Sequence, residues 1–216
     1  MGRFLRHRQS QPVDGAGRCP PGWPERWCEL RPDERIAALA SAIVDGTTAV
    51  RSRVKGLSQE AIREVERDQP ARLCEAYRCF LATLGGGAGR LFQGSDVFYP
   101  DVLGLREDAL ELLEEAGSPF QLEETDRVFY MHQGYLFWFL RGTGPDPEVW
   151  GYGEGQHENL PILDSGCFTD WLRAMTEQEM EAWARLVPWY EAERRRKPRR
   201  VFFGRVQPNG GVREEF

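Results

Sequence analysis

His132 lies in the most aromatic stretch of the chain, and a glycine run occupies residues 85–89; these are the first two places where the sequence offers chemistry. A histidine acting as general base or metal ligand needs partners. The other two histidines are His7 and His157, and no Cys/His spacing resembles a metal site. A structural histidine satisfied by a hydrogen bond is therefore expected. The run Gly85-Gly86-Gly87-Ala88-Gly89 is followed by Arg90-Leu91, so it lacks the Gly-Lys-Ser/Thr that a phosphate loop requires. It reads as a helix end and a sharp turn. Cys74 and Cys79 are five apart on one helix and point in different directions, which suits neither a metal pair nor a redox pair. Triads assemble in space, so spacing alone leaves a Ser-His-Asp set open. No Gly-x-Ser-x-Gly elbow is present, however. The expectation is a chain without catalytic residues, cofactor or metal.

Charge says more. Between Arg106 and Asp126 the sequence places Glu107, Asp108, Glu111, Glu114, Glu115, Glu123, Glu124 and Asp126 against a single cation, Arg106. Glu111 and Glu115 are four apart and share a helical face, with Glu114 beside them. Such a group either steers a basic partner or is simply a solvated helix face. Tyr135, Trp150 and Tyr152 are aromatic candidates for anchoring the same partner. The opposite run, Arg194-Arg195-Arg196-Lys197-Pro198-Arg199-Arg200, suits a helix C-terminus or a nucleic-acid contact. The second reading is the weaker, because neither stacking aromatics nor a nucleic-acid motif accompanies it. The net charge of −6 also argues against a polyanion binder as a whole.

These residues must be positioned by a small set of elements. Val128–Leu140 reads as two strands, 128–132 and 135–140, turned at Gln133-Gly134, with apolar side chains on both faces. Such strands are central ones, covered on both sides. A helix starting at Pro32-Asp33-Glu34 carries Ile36, Leu39, Ile43, Val50 and Val54 at helical spacing, with Gly46 as a weak point and Gly56 as its stop. Ser58 caps a second helix containing Ile62 and Val65, and residues 74–84 form a third, with Tyr77, Phe80, Leu81 and Leu84 on one stripe. Residues 92–105 are irregular, 106–116 an acidic helix stopped by Gly117, 148–152 a third strand, and 153–164 a loop. A helix begins at Phe168. Thr176 with Glu179 forms a capping box opening another helix, which Pro188 should kink or split. Val201-Phe202-Phe203 suits an added strand, and the chain is loose from Gln207.

Residues 1–30 lack periodicity and should be flexible, with Trp23 and Trp27 able to pin their end. No apolar run approaches the ~20 residues of a membrane span, and no apolar region follows the basic N-terminus, so neither a membrane span nor a secretory signal is expected. Five cysteines at irregular spacing suit free thiols in a reducing cytoplasm.

Several stretches, taken in order, resemble the SUKH superfamily, in the branch named for fungal cell-wall-assembly regulators. They are Leu57-Ser58-Gln59-Glu60-Ala61-Ile62-Arg63-Glu64-Val65-Glu66, Leu73-Cys74-Glu75-Ala76-Tyr77-Arg78-Cys79-Phe80-Leu81 with its glycine turn, Phe98-Tyr99-Pro100, Met131-His132-Gln133-Gly134-Tyr135, Val149-Trp150-Gly151-Tyr152 and Phe168-Thr169-Asp170-Trp171-Leu172. The likeness covers about residues 57–175. It departs at Cys74, where the family usually carries proline. The resemblance implies an α+β fold, helices packed on a mostly antiparallel sheet, with no catalytic residues. The domain layout expected is a flexible segment at 1–30, a helical extension at 31–56, the SUKH-like domain at 57–175, and a C-terminal helix with basic tail at 176–216. Bacterial members are taken as immunity proteins that neutralise toxins by binding; fungal ones act as interaction scaffolds in signalling. An immunity-type protein facing a nuclease-like toxin is the first expectation, and a regulatory scaffold the alternative.

Overall fold

The computed structural model describes residues 26–45 and 54–196, and within them the aromatic hairpin is the centre. β2 (Arg127–His132) and β3 (Leu136–Arg141) pair antiparallel around a turn where Gln133 and Gly134 take φ of 52° and 76°. Glycine adopts that region freely, which is why the turn falls there. β4 (Glu148–Gly153) pairs with the other edge of β3. Two further strands complete an antiparallel sheet of order β1-β2-β3-β4-β5: β1 (Ser95–Asp96) beside β2 and β5 (Ile162–Ser165) beside β4. The expected irregularity of 92–105 and 153–164 is corrected accordingly. Both strands are too short for a period-2 pattern to show.

Residues paired straight across a sheet share a face. Tyr130, Trp138 and Gly151 line one face; Met131, Phe137 and Tyr152, with Val128, Phe139 and Trp150, line the other. A register shift between Val128 and Tyr130 brings Phe129 to the first face as well, where it meets Trp171 at 5.0 Å and Phe168 at 5.2 Å, both edge-on. That face is covered by α3 (Glu75–Leu84) and by the start of α5 (Phe168–Arg196). Tyr77, Phe80, Leu81 and Leu84 are fully buried there, as their stripe requires. The second face is covered by α4 (Leu105–Glu115), which packs on β2, and by the segment after it, whose Phe120 stacks on Phe139 at 5.7 Å. Cover on both sides explains why the hairpin is apolar throughout. The arrangement is α+β, with helical extensions at both ends.

α1 (Pro32–Asp45) packs on α3 and α5 through Ile36, Leu39 and Ile43, and α2 (Gln59–Asp68) packs on α3. Trp27, buried just before α1, donates from Nε1 to Asp170 at 2.6 Å and pins the N-terminal end to α5; Trp23 lies outside the described residues. Val54 does not continue the α1 stripe but bridges Ala88; Val50 lies outside the described residues. Gly56 is no helix stop either. A Cβ there would sit 1.8 Å from the Ala82 carbonyl oxygen. Leu57 N donates to Leu81 O at 2.9 Å, and Gly86 N to Lys55 O at 2.8 Å. The glycines thus let residues 55–57 lie flush against the end of α3. Ser58 caps α2 as expected, accepting from Ala61 N at 3.2 Å.

α5 runs through Thr176 without a break, across the expected boundary at 175/176, and is not split at Pro188. Thr176 is buried and donates its hydroxyl to Leu172 O at 2.7 Å, so the oxygen that a capping box would use is engaged inside the helix. Trp183 Nε1 donates to Arg90 O at 3.1 Å and holds the helix to the body beyond that point. Of the basic run, only Arg194–Arg196 fall within the described residues, at the end of α5.

Candidate functional site

Asp108, Glu111, Leu112 and Glu115 recur at i, i+3, i+4 and i+7, which places them on one stripe of α4. The fold lays that stripe beside β1 and the hairpin turn. The result is a groove lined by Asp96, Asp108, Glu111, Leu112, Glu115, Met131 and Gly134. Four of the seven lining residues carry carboxylates and none is basic. Asp96 arrives through its pairing with Met131 across β1 and β2. Burial, and then the neighbouring Asp101 and Asp108, push its carboxyl above the usual range, with His132 opposing. α4 itself is held at its start by Arg106, which donates to Asp126 O at 2.8 Å and Glu123 O at 3.2 Å.

His132 is satisfied as expected: its Nδ1 lies 2.7 Å from Ser95 Oγ, which also lies 2.7 Å from the Tyr130 hydroxyl. Burial pushes Tyr130 up to about 12, so its phenol keeps its proton at neutral pH. Cys74, Cys79 and Cys167 are free, and burial pushes both Cys74 and Cys167 up to about 11. Thiols in that state are poor nucleophiles. Among the described residues no group of three or more His, Cys, Asp or Glu could hold a metal ion. The groove carboxylates offer a field that attracts cations.

The candidate residues divide into groups. Glu111 and Glu115 line the groove; Glu114 is exposed beside it but outside the lining. Tyr135 sits half-buried at the hairpin turn next to Gly134, its hydroxyl on Gln133 Oε1 at 3.0 Å. Glu123 and Glu124 are exposed away from the groove, and Glu123 reaches Arg141 at 3.4 Å. Arg141 is held by the fully buried Asp126 at 3.0 and 2.6 Å, and its guanidinium lies over Phe120, Phe139 and Trp150. Trp150, half-buried, thus joins Glu123 in a second cluster whose cation is already neutralised. Tyr152 is corrected as an anchor. It is 2% exposed and stacked on Phe137 at 5.1 Å, so it presents no surface to a partner. Its place opposite Phe137, itself fully buried, puts it in the core. Two groove carboxylates, Asp96 and Asp108, were not among the candidate site residues. The period joining Asp108 to Glu111 and Glu115 was there to be read, whereas Asp96 joins them only through a sheet pairing with no local signal.

The model of the SMI1 / KNR4 family (SUKH-1) matches residues 56–174, over half of the chain. The chain belongs to this family. No curated protein and no solved structure matches it. The match to the SUKH-1 model takes in α2 to β5 and the first turns of α5, so the whole groove lies within the family domain. Among the described residues no helix is long and apolar enough to cross a membrane.

Proposed function

We propose that this SUKH-1 chain is a non-catalytic protein-binding module of the immunity type, neutralising a toxin by covering a basic surface of it. The observation that carries the reading is the groove in which Asp96, Asp108, Glu111 and Glu115 converge with no basic side chain among them. A toxin acting on nucleic acid holds phosphates with cations, and fixed carboxylates complement that surface and speed encounter. Tyr135 supplies an anchor at the groove's edge. Glu114, Glu123 and Glu124 extend the negative field, and Trp150 belongs to the rim. A bacterial cytoplasm suits that role, where an immunity protein meets toxins delivered by neighbouring cells.

The test is stopped-flow association with the cognate toxin at two ionic strengths. Glu111→Lys with Glu115→Lys should slow association about tenfold or more at low salt, the scale of electrostatic steering. The melting temperature should barely change, because both side chains are exposed. An unchanged rate in the double variant, with no salt dependence in the parent, removes the groove from the interface.

A further inference from the structure

Five large apolar side chains are exposed among the described residues, and three of them, Leu160 (43%), Ile162 (43%) and Leu163 (50%), are clustered at β5. β5 is also an outer strand of the sheet: β4 pairs with one side, and no described residue pairs with the other. Edge strands normally discourage further pairing with lysines, internal prolines or outward bulges. β5 has no lysine, and its proline, Pro161, precedes the strand. Its one irregularity, Asp164, is turned inward, accepting from Trp138 Nε1 at 2.7 Å and Trp171 Nε1 at 2.9 Å. That carboxylate fixes the strand in place without guarding its edge.

The surroundings select a cation. From Gly142 to Leu172 the chain carries no Lys or Arg; Asp146 pairs with Arg35 at 3.6 Å, Asp170 with Arg173 at 3.8 Å and Asp164 is turned inward, which leaves Glu148, Glu154 and Glu158 as the carboxylates outside an ion pair among the described residues. A strand added here must therefore be apolar and basic. The chain contains such a stretch in Arg199-Arg200-Val201-Phe202-Phe203-Gly204-Arg205-Val206. Its own β5 is out of reach. α5 starts three residues after β5 and runs 29 residues, which carries its end about 42 Å away at 1.5 Å per residue. The seven residues from Arg196 to Phe203 span at most about 25 Å when extended. α5 thus delivers the segment away from its own sheet.

We propose that the outer edge of β5 takes up residues 199–206 of a second copy of this chain as a sixth strand. Backbone ladder bonds supply the pairing. Val201 and Phe203, two apart, share a face of the added strand and can cover Leu163 or Ile162. Arg199, Arg200 and Arg205 meet the acidic surround. This surface lies at the opposite edge of the sheet from the α4 groove and does not depend on it.

The test measures the mass of the full chain by sedimentation across concentration, with hydrogen exchange of the β5 amides. The parent should associate, protect Ile162–Ser165 as it does so, and dissociate as salt rises. Leu163→Lys, and separately Val201→Asp with Phe203→Asp, should each weaken association about tenfold or more, the effect of about 1.4 kcal/mol. Leu163 is half-exposed, so its substitution leaves the fold intact. A synthetic peptide of residues 197–207 should restore β5 protection in the Val201→Asp/Phe203→Asp chain and fail to do so once Leu163→Lys is added. A parent that stays monomeric to its solubility limit overturns the proposal. So does protection of β5 in a monomer, which would mean pairing within one chain, and so does peptide-induced protection confined to α4.

Discussion

Replacing Asp126 tests how the second face of the sheet is held. Its carboxylate is fully buried, accepts from Arg141 Nε at 3.0 Å and NH2 at 2.6 Å, and also takes the Glu123 backbone N–H at 2.9 Å. Asp126→Ala removes three acceptor contacts and leaves a guanidinium only 22% exposed. Hydrogen bonds to charged groups are worth about 1.5–3 kcal/mol each, and breaking a buried ion pair costs about 3–5 kcal/mol. Arg141 keeps Glu123 at 3.4 Å and three aromatic faces, which offsets part of the loss. The expected destabilisation is therefore about 3 kcal/mol, a fall in Tm of about 6–12 °C for a chain of this size. Glu123→Gln removes a 61% exposed partner and should cost at most about 1 kcal/mol. Urea unfolding of Asp126→Ala, Arg141→Ala and the double variant gives the coupling, expected at about 2 kcal/mol. A cost for Asp126→Ala no larger than that of Glu123→Gln, or independent effects in the cycle, would show that the pair does not hold the 118–126 segment to the sheet.

Phe80 is fully buried, with rings of Tyr77 and Phe168 at 6.0 and 5.9 Å, so Phe80→Ala should cost about 3–5 kcal/mol in urea unfolding; an unchanged midpoint refutes the helix-on-sheet packing. Alkylation by iodoacetamide at pH 8 should label the half-buried Cys79 first and reach Cys74, pushed up to about 11 by burial, only on unfolding; mass spectrometry of labelled peptides reads the order. Asp96 is held above the usual carboxylate range, so as pH falls it is expected to lose its charge ahead of an ordinary aspartate near ~3.9, and capture of a cationic partner should weaken from that point. Asp96→Asn should remove that early part of the pH dependence. For the fold the sign is reversed: a raised carboxyl favours the folded state when protonated, and that contribution is lost as pH rises through the folded value.

The central hairpin was legible because each of its strands is apolar on both faces, a pattern that only a covered sheet satisfies. The α3 stripe and the Ser58 cap were legible because each signal is local. The failures share a physical cause. β1 and β5 are too short to show a period, and their existence depends on partners far along the chain. Trp150 and Tyr152 occupy equivalent positions on β4, and their different burial comes from what lies across the sheet, Phe139 with Arg141 in one case and Phe137 in the other. The Thr176 signal was real but ambiguous, since a hydroxyl can cap a helix start or bond back within a helix, and only packing decides. The acidic face behaved the same way: helical period brings Asp108, Glu111 and Glu115 together, and only the sheet adds Asp96.

The distribution of aromatic groups bears on how this fold can bind. Interfaces usually draw their energy from buried aromatic anchors. Here Phe129, Phe137, Phe139, Tyr152, Phe168 and Trp171 are consumed by the two faces of the sheet. Trp150 is half covered by Arg141, and Tyr135 is the aromatic that follows Gly134 of the groove lining. A partner docking on α4 meets carboxylates and few rings. Charge of that kind acts mainly on the rate of encounter, and salt screens it within about 10 Å at 0.1 M. Binding through the α4 groove should accordingly fall steeply with ionic strength, mostly in the association rate. A complex whose association ignores salt and whose lifetime depends on a buried ring would have to use a surface other than this groove.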